Sequence, residues 1–539
     1  MVWRNGISRR DLLRYFGAGV GTLMIPGLVS CAPAPASVST GATGSEAAAG
    51  TASGIYTGAF TATMTQNPQG LDPQVNSLTE SFQAMLACFE QLVDYDPCTD
   101  SFFPQLLAEM PDMSDTSLYV LKLRDGLKFH SGDPLTAEDV KSTFDFVLEQ
   151  GPASPAYGLY SPIDTITIID PLTIEFKLKF GYGLFIPYLS SVMGGIVRRG
   201  ARDSQDLQRD PSGAGSGPFK FVEWVDGSHL TFERFEDYHI PGVPAYQQLT
   251  YRILVDESAR TAQLLAGTVD FSDDVPKKDF ATLIARDDLE GVQGVSEKVS
   301  YVMFNFANEM FQNKDLRKAM SYAVDRNAIL QNVFDGYGIV ATGPMKPGTR
   351  WYDPAVEELA SLNLEKAREH LVAAGYPDGV TFDVLTQNNQ RHIDMSQLLQ
   401  DMWKQVGINV NVVPLEKTAL FDKAVLGSTD WTVVVTDWSS SVYSPDYMLK
   451  LVYATDGSYQ RAGYSNPKVD QLLADAQRSG DEAEQVALFS EIATEMADDT
   501  AAIWMVWEAW TPVWRKEISG YCAAPTYYDY YDNVKIDRS

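Results

Sequence analysis

A mixed α/β fold in two lobes is what this sequence predicts, on three observations. The chain has 539 residues, more than one compact core absorbs, so two or three domains are expected. Its apolar fraction of 45% is that of an ordinary globular protein. Its patterning is of two kinds: antiparallel hairpins in the first half, then alternating helices and strands that read as a partly parallel sheet.

The elements follow in order. "SLTESFQAMLACFEQL" (77–92) reads as a helix. "TAEDVKSTFDFVLEQ" (136–150) reads as another, with Thr136 as N-cap, acids in the first turn, and Val140, Phe144, Val147 and Leu148 on one face. "DTITIIDPLTIEFKLKF" (164–180) is two alternating strands around Asp170-Pro171. "GPFKFVEWVDGSHLTFERF" (217–235) is a hairpin turning at Asp226-Gly227. "KDLRKAMSYAVDRNAILQNVF" (314–334) reads as one long amphipathic helix. Helix 364–375, strand 380–387, helix 395–407 and strand 408–416 then alternate. "AAIWMVWEAWTPVWR" (501–515) is a strand whose alternation puts Trp504, Trp510 and Trp514 on one face and Trp507 on the other, a pattern of packing more than of sugar stacking.

The first residues are a targeting segment. "SRRDLL" (8–13) sets paired Arg9 and Arg10 before an apolar stretch, 15–29, that is short for a membrane span and ends in "LVSC" at Cys31. This pattern resembles a twin-arginine export signal joined to a bacterial lipoprotein signal, which implies cleavage before Cys31 and lipidation of its thiol. The Gly/Ser/Thr/Ala-rich stretch to residue 54 is too poor in apolar residues to bury a core and reads as a flexible tether. Of the other cysteines, Cys88 and Cys98 are one candidate bridge with Cys522 left over, and three buried thiols are the other reading.

The formal net charge of −29 is spread along the chain, which reads as a solvated surface and argues against nucleic acid as a partner. The five histidines form no metal-ligand spacing, and no Cys-x-x-Cys pair is present. GxSxG, GxxxxGK[ST] and GxGxxG motifs are absent, and the Gly-rich "SGAGSGPF" leads into a strand where phosphate binding needs a helix N-terminus. No enzyme activity, catalytic residue, cofactor or metal is expected.

"LRDGLKFHSGDPLTAEDVKSTFDFVL" (123–148) resembles the signature of extracellular solute-binding protein family 5, the large receptors that serve peptide and nickel ABC importers. The resemblance continues through segments 215–239, 259–271, 301–330, 365–386 and 464–479 in the expected order. It implies a periplasmic-binding-protein-like fold of class II, large type. Lobe one would comprise 55–93, 196–298 and 507–539, with an extra domain at 94–195, and lobe two would be 299–506. It implies a lipid-anchored receptor outside the cell membrane that captures a small-molecule or short-peptide ligand between the lobes, acts as a monomer and delivers to ABC permease subunits.

The resemblance also implies where ligand is met. The loop after Leu71-Asp72-Pro73 offers Asn76, Ser77 and Ser81; the strand entering lobe two offers Tyr301; a helix start offers Arg391 and His392, whose cationic groups suit a carboxylate. The stretch "VVVTDWSSSVYSPDYM" (433–448) offers Trp438, Ser441 and Tyr443. Peptide-binding relatives carry an acid three residues after this Trp to hold the peptide ammonium. Here that residue is Ser441, which accepts a hydrogen bond but neutralises no charge. The ligand is therefore expected to be a differently anchored peptide, an oligosaccharide, or an opine-like or metallophore-like conjugate. A ligand-sensing receptor with a signalling partner and an exported hydrolase are the rival functions.

Overall fold

The computed structural model describes residues 56–424, 426–526 and 529–538. The export segment, Cys31 and the tether lie outside them. The described residues belong to one unit, Ser53–Ser539, which is built on two large sheets. Among them no helix is long and apolar enough to cross a membrane.

The first sheet has seven strands. At its centre Tyr56–Met64 runs parallel to Tyr246–Ile253 and to the short Phe271–Ser272. The hairpin Phe219–Val225/His229–Arg234 extends one edge, and Val513–Arg515 with Leu289–Gly291 completes the other. The second sheet has six strands in the order Gly338–Val340, Ala502–Trp510, Gly294–Phe304, Val433–Ser439, Val380–Gln387, Ile408–Leu415. Its last three strands are mutually parallel and the rest antiparallel, the mixture that the two kinds of patterning implied. Its buried valines and β-branched residues suit strands covered on both faces. A separate three-stranded antiparallel sheet, Leu118–Lys122, Thr173–Leu178 and Ile163–Asp170, carries the helix Ala137–Gln150. There Phe144 packs edge-on against Tyr160 and Phe176 at 4.8 and 5.0 Å.

The chain passes from the first sheet to the second at 292–293 and returns at 511–512. The two passages lie side by side, since Gly294 pairs with Trp510 as a rung of the second sheet. A Cβ at Gly294 would meet the Trp510 ring at 2.7 Å, so this position needs glycine for closeness of approach.

Several local expectations change. The helix expected over 77–92 is confined to Thr79–Cys88. The single helix expected over 314–334 is two, Lys314–Tyr322 and Arg326–Val333. The break lets Asp325 cap the second helix by accepting from Ala328 N at 2.9 Å, and it turns the buried Arg326 guanidinium onto the carbonyls of Trp504, at 2.7 Å, and Ala360. The disulfide is Cys98–Cys522, which joins residues 424 apart, while Cys88 is a buried free thiol whose ionisation burial opposes. The four tryptophans of 501–515 do not share one strand either. Pro512 ends the second-sheet strand, and Trp514 stacks on Phe271 at 5.7 Å in the first sheet.

Candidate ligand-binding site

Between the two sheets lies a cavity of about 620 Å³. One side is built from segments flanking the first sheet: Ser77 to Glu80 at the start of the helix Thr79–Cys88, with Phe82, Met193 and Thr526. The Thr526 hydroxyl is buried and has no hydrogen-bond partner among the described residues. The other side is the second sheet. Strand Gly294–Phe304 supplies Lys298, Tyr301 and Met303, and its antiparallel neighbour supplies Thr436, Asp437 and Trp438 before breaking into the serine loop. Aromatic rings stiffen this wall. Tyr301 stacks on Trp504 at 5.5 Å, and Trp438 has Tyr447 and Tyr459 at 6.1 and 6.0 Å.

The serine loop is held by its own bonds. Ser440 N donates to Glu297 O at 3.0 Å, and Trp438 Nε1 donates to Ser440 Oγ at 3.2 Å. Ser441 Oγ lies 2.9 Å from Tyr447 OH. Asp446, the acid beyond Pro445, is fully buried and accepts from Tyr182 OH at 2.6 Å and Gln477 Nε2 at 2.9 Å. Its carboxylate is thus committed to holding the loop to neighbouring segments.

Behind the wall sits a charge network. Glu508 accepts from Ser300 Oγ at 2.6 Å and Arg391 Nη1 at 2.8 Å, with Lys298 Nζ at 3.4 Å. Lys298 Nζ also lies 3.7 Å from Asp437, and His392 Nε2 lies 3.0 Å from the same Asp437 oxygen. Burial opposes ionisation of Asp437, but the nearby Lys298, His392 and Arg391 outweigh it and hold the carboxyl well below the usual carboxylate range.

Of the nine residues expected at the ligand, four line the cavity: Ser77, Tyr301, Trp438 and Ser441. Tyr443 lies next door, in a cavity of about 40 Å³ that shares Ser440, with its ring 4.9 Å from Tyr95. The other four are absent from the lining. Asn76 Nδ2 donates to Asp72 O and Gln208 Oε1 at 2.9 and 2.8 Å, and Ser81 Oγ accepts from Gln69 N at 3.1 Å. Asp72 of the Leu-Asp-Pro motif pairs with Arg202 at 2.8 Å, so this loop is a folded, self-bonded structure. Arg391 and His392, which open the Asn389-capped helix Gln390–Lys404, belong to the charge network.

Glu80, Lys298, Lys417, Asp437 and Arg461 were not among the expected ligand residues, yet all of them line the cavity. Arg461 had a signal: it is the one charged residue between Asp456 and Lys468. Lys298 and Glu508 had none, because their relation is set by strand pairing across 210 residues.

Comparisons with known proteins agree with this architecture. A glutathione-binding protein, GsiB, of Pectobacterium atrosepticum is 28% identical over 472 residues, 84% of this chain and 90% of that one. Its counterpart in Escherichia coli strain K12 is 27% identical over 437 residues, covering 78% and 83%. Among solved structures, the periplasmic binding protein AgaA of A. tumefacien R10, in complex with agropinic acid, superposes with a TM-score of 0.77 at 25% identity, covering 89% of this chain and 99% of that one. The ABC transporter-associated periplasmic binding protein DppA of Helicobacter pylori, in complex with the peptide STSA, gives the same TM-score of 0.77 at 19% identity, covering 90% and 99%. These are two-lobed periplasmic binding proteins, and so is the fold described above. The family model described as "Bacterial extracellular solute-binding proteins, family 5 Middle" matches residues 102–460, two-thirds of the sequence, and the chain belongs to that family.

Proposed function

We propose that this protein is the capture subunit of an ABC importer, held outside the cell membrane by a lipid on Cys31, and that it takes a peptide-like or other small organic solute into the cavity between its lobes. The observation that carries this reading is the cavity itself. At about 620 Å³ it suits a solute of several residues or fewer, and both sides of the cleft contribute to its lining. A ligand touching both sides has differential affinity for the closed form, which is what closure requires. The names of relatives point to glutathione, short peptides and an opine-type ligand as the solutes to try first. The reading needs no covalent chemistry and one copy of the chain. The lobe division that goes with it moves the edges of lobe two from the expected 299 and 506 to 294 and 510, where the Gly294–Trp510 rung opens the second sheet.

Native mass spectrometry of the purified protein, followed by a thermal-shift screen of peptides, glutathione, opines and oligosaccharides, tests it. A ligand at 100 times its dissociation constant stabilises the fold by ~2.7 kcal/mol. A chain that retains no solute and is stabilised by none of these classes is not a capture subunit. Export and anchoring are tested separately: Cys31→Ser releases the protein from membranes if the lipid is its anchor.

A further inference from the structure

The charges lining the cleft narrow the ligand, granted the capture reading above. The ionisable side chains on the lining with formal charge at neutral pH are Glu80, Lys298, Lys417, Asp437 and Arg461. Lys298 and Asp437 are already partners in the network behind the wall. The other three have no oppositely charged partner among the described residues. Glu80 accepts from the Thr65 hydroxyl at 2.8 Å, and Lys417, at the start of the helix Lys417–Lys423, stands exposed at the rim. Arg461 is fixed without being neutralised. Its Nη1 donates to the carbonyls of Phe421 and Ala424 at 2.8 and 3.3 Å, and its guanidinium carbon lies 4.8 Å from the centroid of the Phe421 ring. A guanidinium held this way is preorganised for a carboxylate.

Closing the lobes removes water from these groups. Each one left without a counter-charge opposes closure, because a dehydrated unpaired charge costs more than a satisfied one returns. We infer that the ligand is an organic anion with two carboxylates and one ammonium, its carboxylates drawn to Arg461 and Lys417 on the second-sheet side and its ammonium to Glu80 across the cleft. A neutral sugar leaves all three charges unmatched. A simple dipeptide, with one carboxylate and one ammonium, leaves one cation over. The Glu80 carboxylate also supplies an acid that Ser441 does not, but on the opposite side of the cleft.

Isothermal titration of the full mature chain tests the charge class. The dicarboxylate probes are glutathione and an N-(carboxyethyl) amino acid, each with two carboxylates and one ammonium. The comparison probes are the glycyl monoethyl ester of glutathione, N-acetylglutathione, a free dipeptide and maltotriose. At least one dicarboxylate probe is expected to bind about tenfold or more tighter than the dipeptide and maltotriose. Arg461→Met is expected to weaken that probe by about tenfold or more, with Arg461→Lys recovering part of the loss. Glu80→Gln is expected to weaken glutathione while leaving N-acetylglutathione, which lacks the ammonium, within about twofold. Circular dichroism melts of each variant establish that it folds. Tighter binding of maltotriose or the dipeptide than of both ammonium-bearing dicarboxylates overturns the charge assignment and leaves the capture reading standing. So does a loss on Arg461→Met that is equal for the dicarboxylate, dipeptide and sugar probes. If neither ammonium-bearing dicarboxylate binds at about 1 mM, the inference is overturned, and the capture reading is judged by whether native mass spectrometry finds any other solute retained.

Discussion

Asp437 and Asp529 are both largely withdrawn from water, and the protein shifts their acidities in opposite directions. Asp437, against the second sheet, has Lys298 and His392 beside it and stays ionised far into acid. Asp529, in the C-terminal stretch beside the first sheet, is met by hydroxyls, Tyr521 OH at 2.5 Å and Tyr531 OH at 3.1 Å. Burial raises its pKa to about 6 even though those hydroxyls lower it. Nearby Asp532 is likewise raised by burial to about 6, and Asp94 well above the usual range. The difference teaches that hydroxyl donors alone do not offset the burial of a carboxyl group, whereas neighbouring cations more than offset it. The two clusters also bend the stability curve in opposite senses. A carboxyl with a lowered folded pKa contributes stability above its unfolded value near 4 and loses it as pH falls. A carboxyl with a raised folded pKa contributes stability below that value and loses it as pH rises through its folded pKa. A stability maximum at about pH 4–5, between the two losses, follows.

The contrast can be broken most forcefully at Glu508. Glu508→Ala leaves Arg391 and Lys298 without the acid they share, and a loss of about 3 kcal/mol is expected in urea unfolding. A loss below about 1 kcal/mol would mean that water already solvates the network. Cys522→Ser comes next. Freeing the stretch that carries Asp529 from Cys98 is expected to cost about 2–4 kcal/mol, with a matching drop of the oxidised protein under reductant. An unchanged melting temperature would show that packing alone holds that stretch. Asp529→Asn is expected to stabilise by about 2 kcal/mol at pH 8 relative to pH 4, flattening the decline between pH 4 and 6. If the slope persists unaltered, Asp529 is not among the groups retaining a proton. The smallest effect is at the serine loop. Ser441→Asp is expected to tighten free dipeptides several-fold, about 1 kcal/mol, by titration calorimetry. No gain would place the dipeptide ammonium elsewhere in the cleft.

Much of this fold could be read in the sequence where local chemistry decides it. Thr136 opens its helix as expected, with the Asp139 carboxylate accepting from Thr136 N at 3.0 Å, and both expected hairpins form between their turn residues. What could not be read depends on distant partners. The apolar periodicity of 314–334 runs on through a break that Asp325 and Arg326 make for the sake of Trp504, some 180 residues away. The cysteine partner was invisible for the same reason, since spacing says nothing of which strands the fold brings together. At the site, Tyr301 and Trp438 were reached through the family resemblance, and both stand on strands whose residues line the cavity. Arg391 had the right chemistry for a ligand carboxylate, but Glu508 from another strand meets it first. A residue type shows what a side chain can bind, and topology decides what reaches it.

The Cys98–Cys522 bond has one more consequence. It closes the polypeptide into a covalent ring that spans most of its length. Neither cysteine can find the other until nearly the whole chain has been made, so the link is a late mark of a finished molecule. Once formed, it makes a single proteolytic nick anywhere between the two cysteines unable to release a fragment: on a non-reducing gel the nicked protein runs as one species, and only thiol separates it into two.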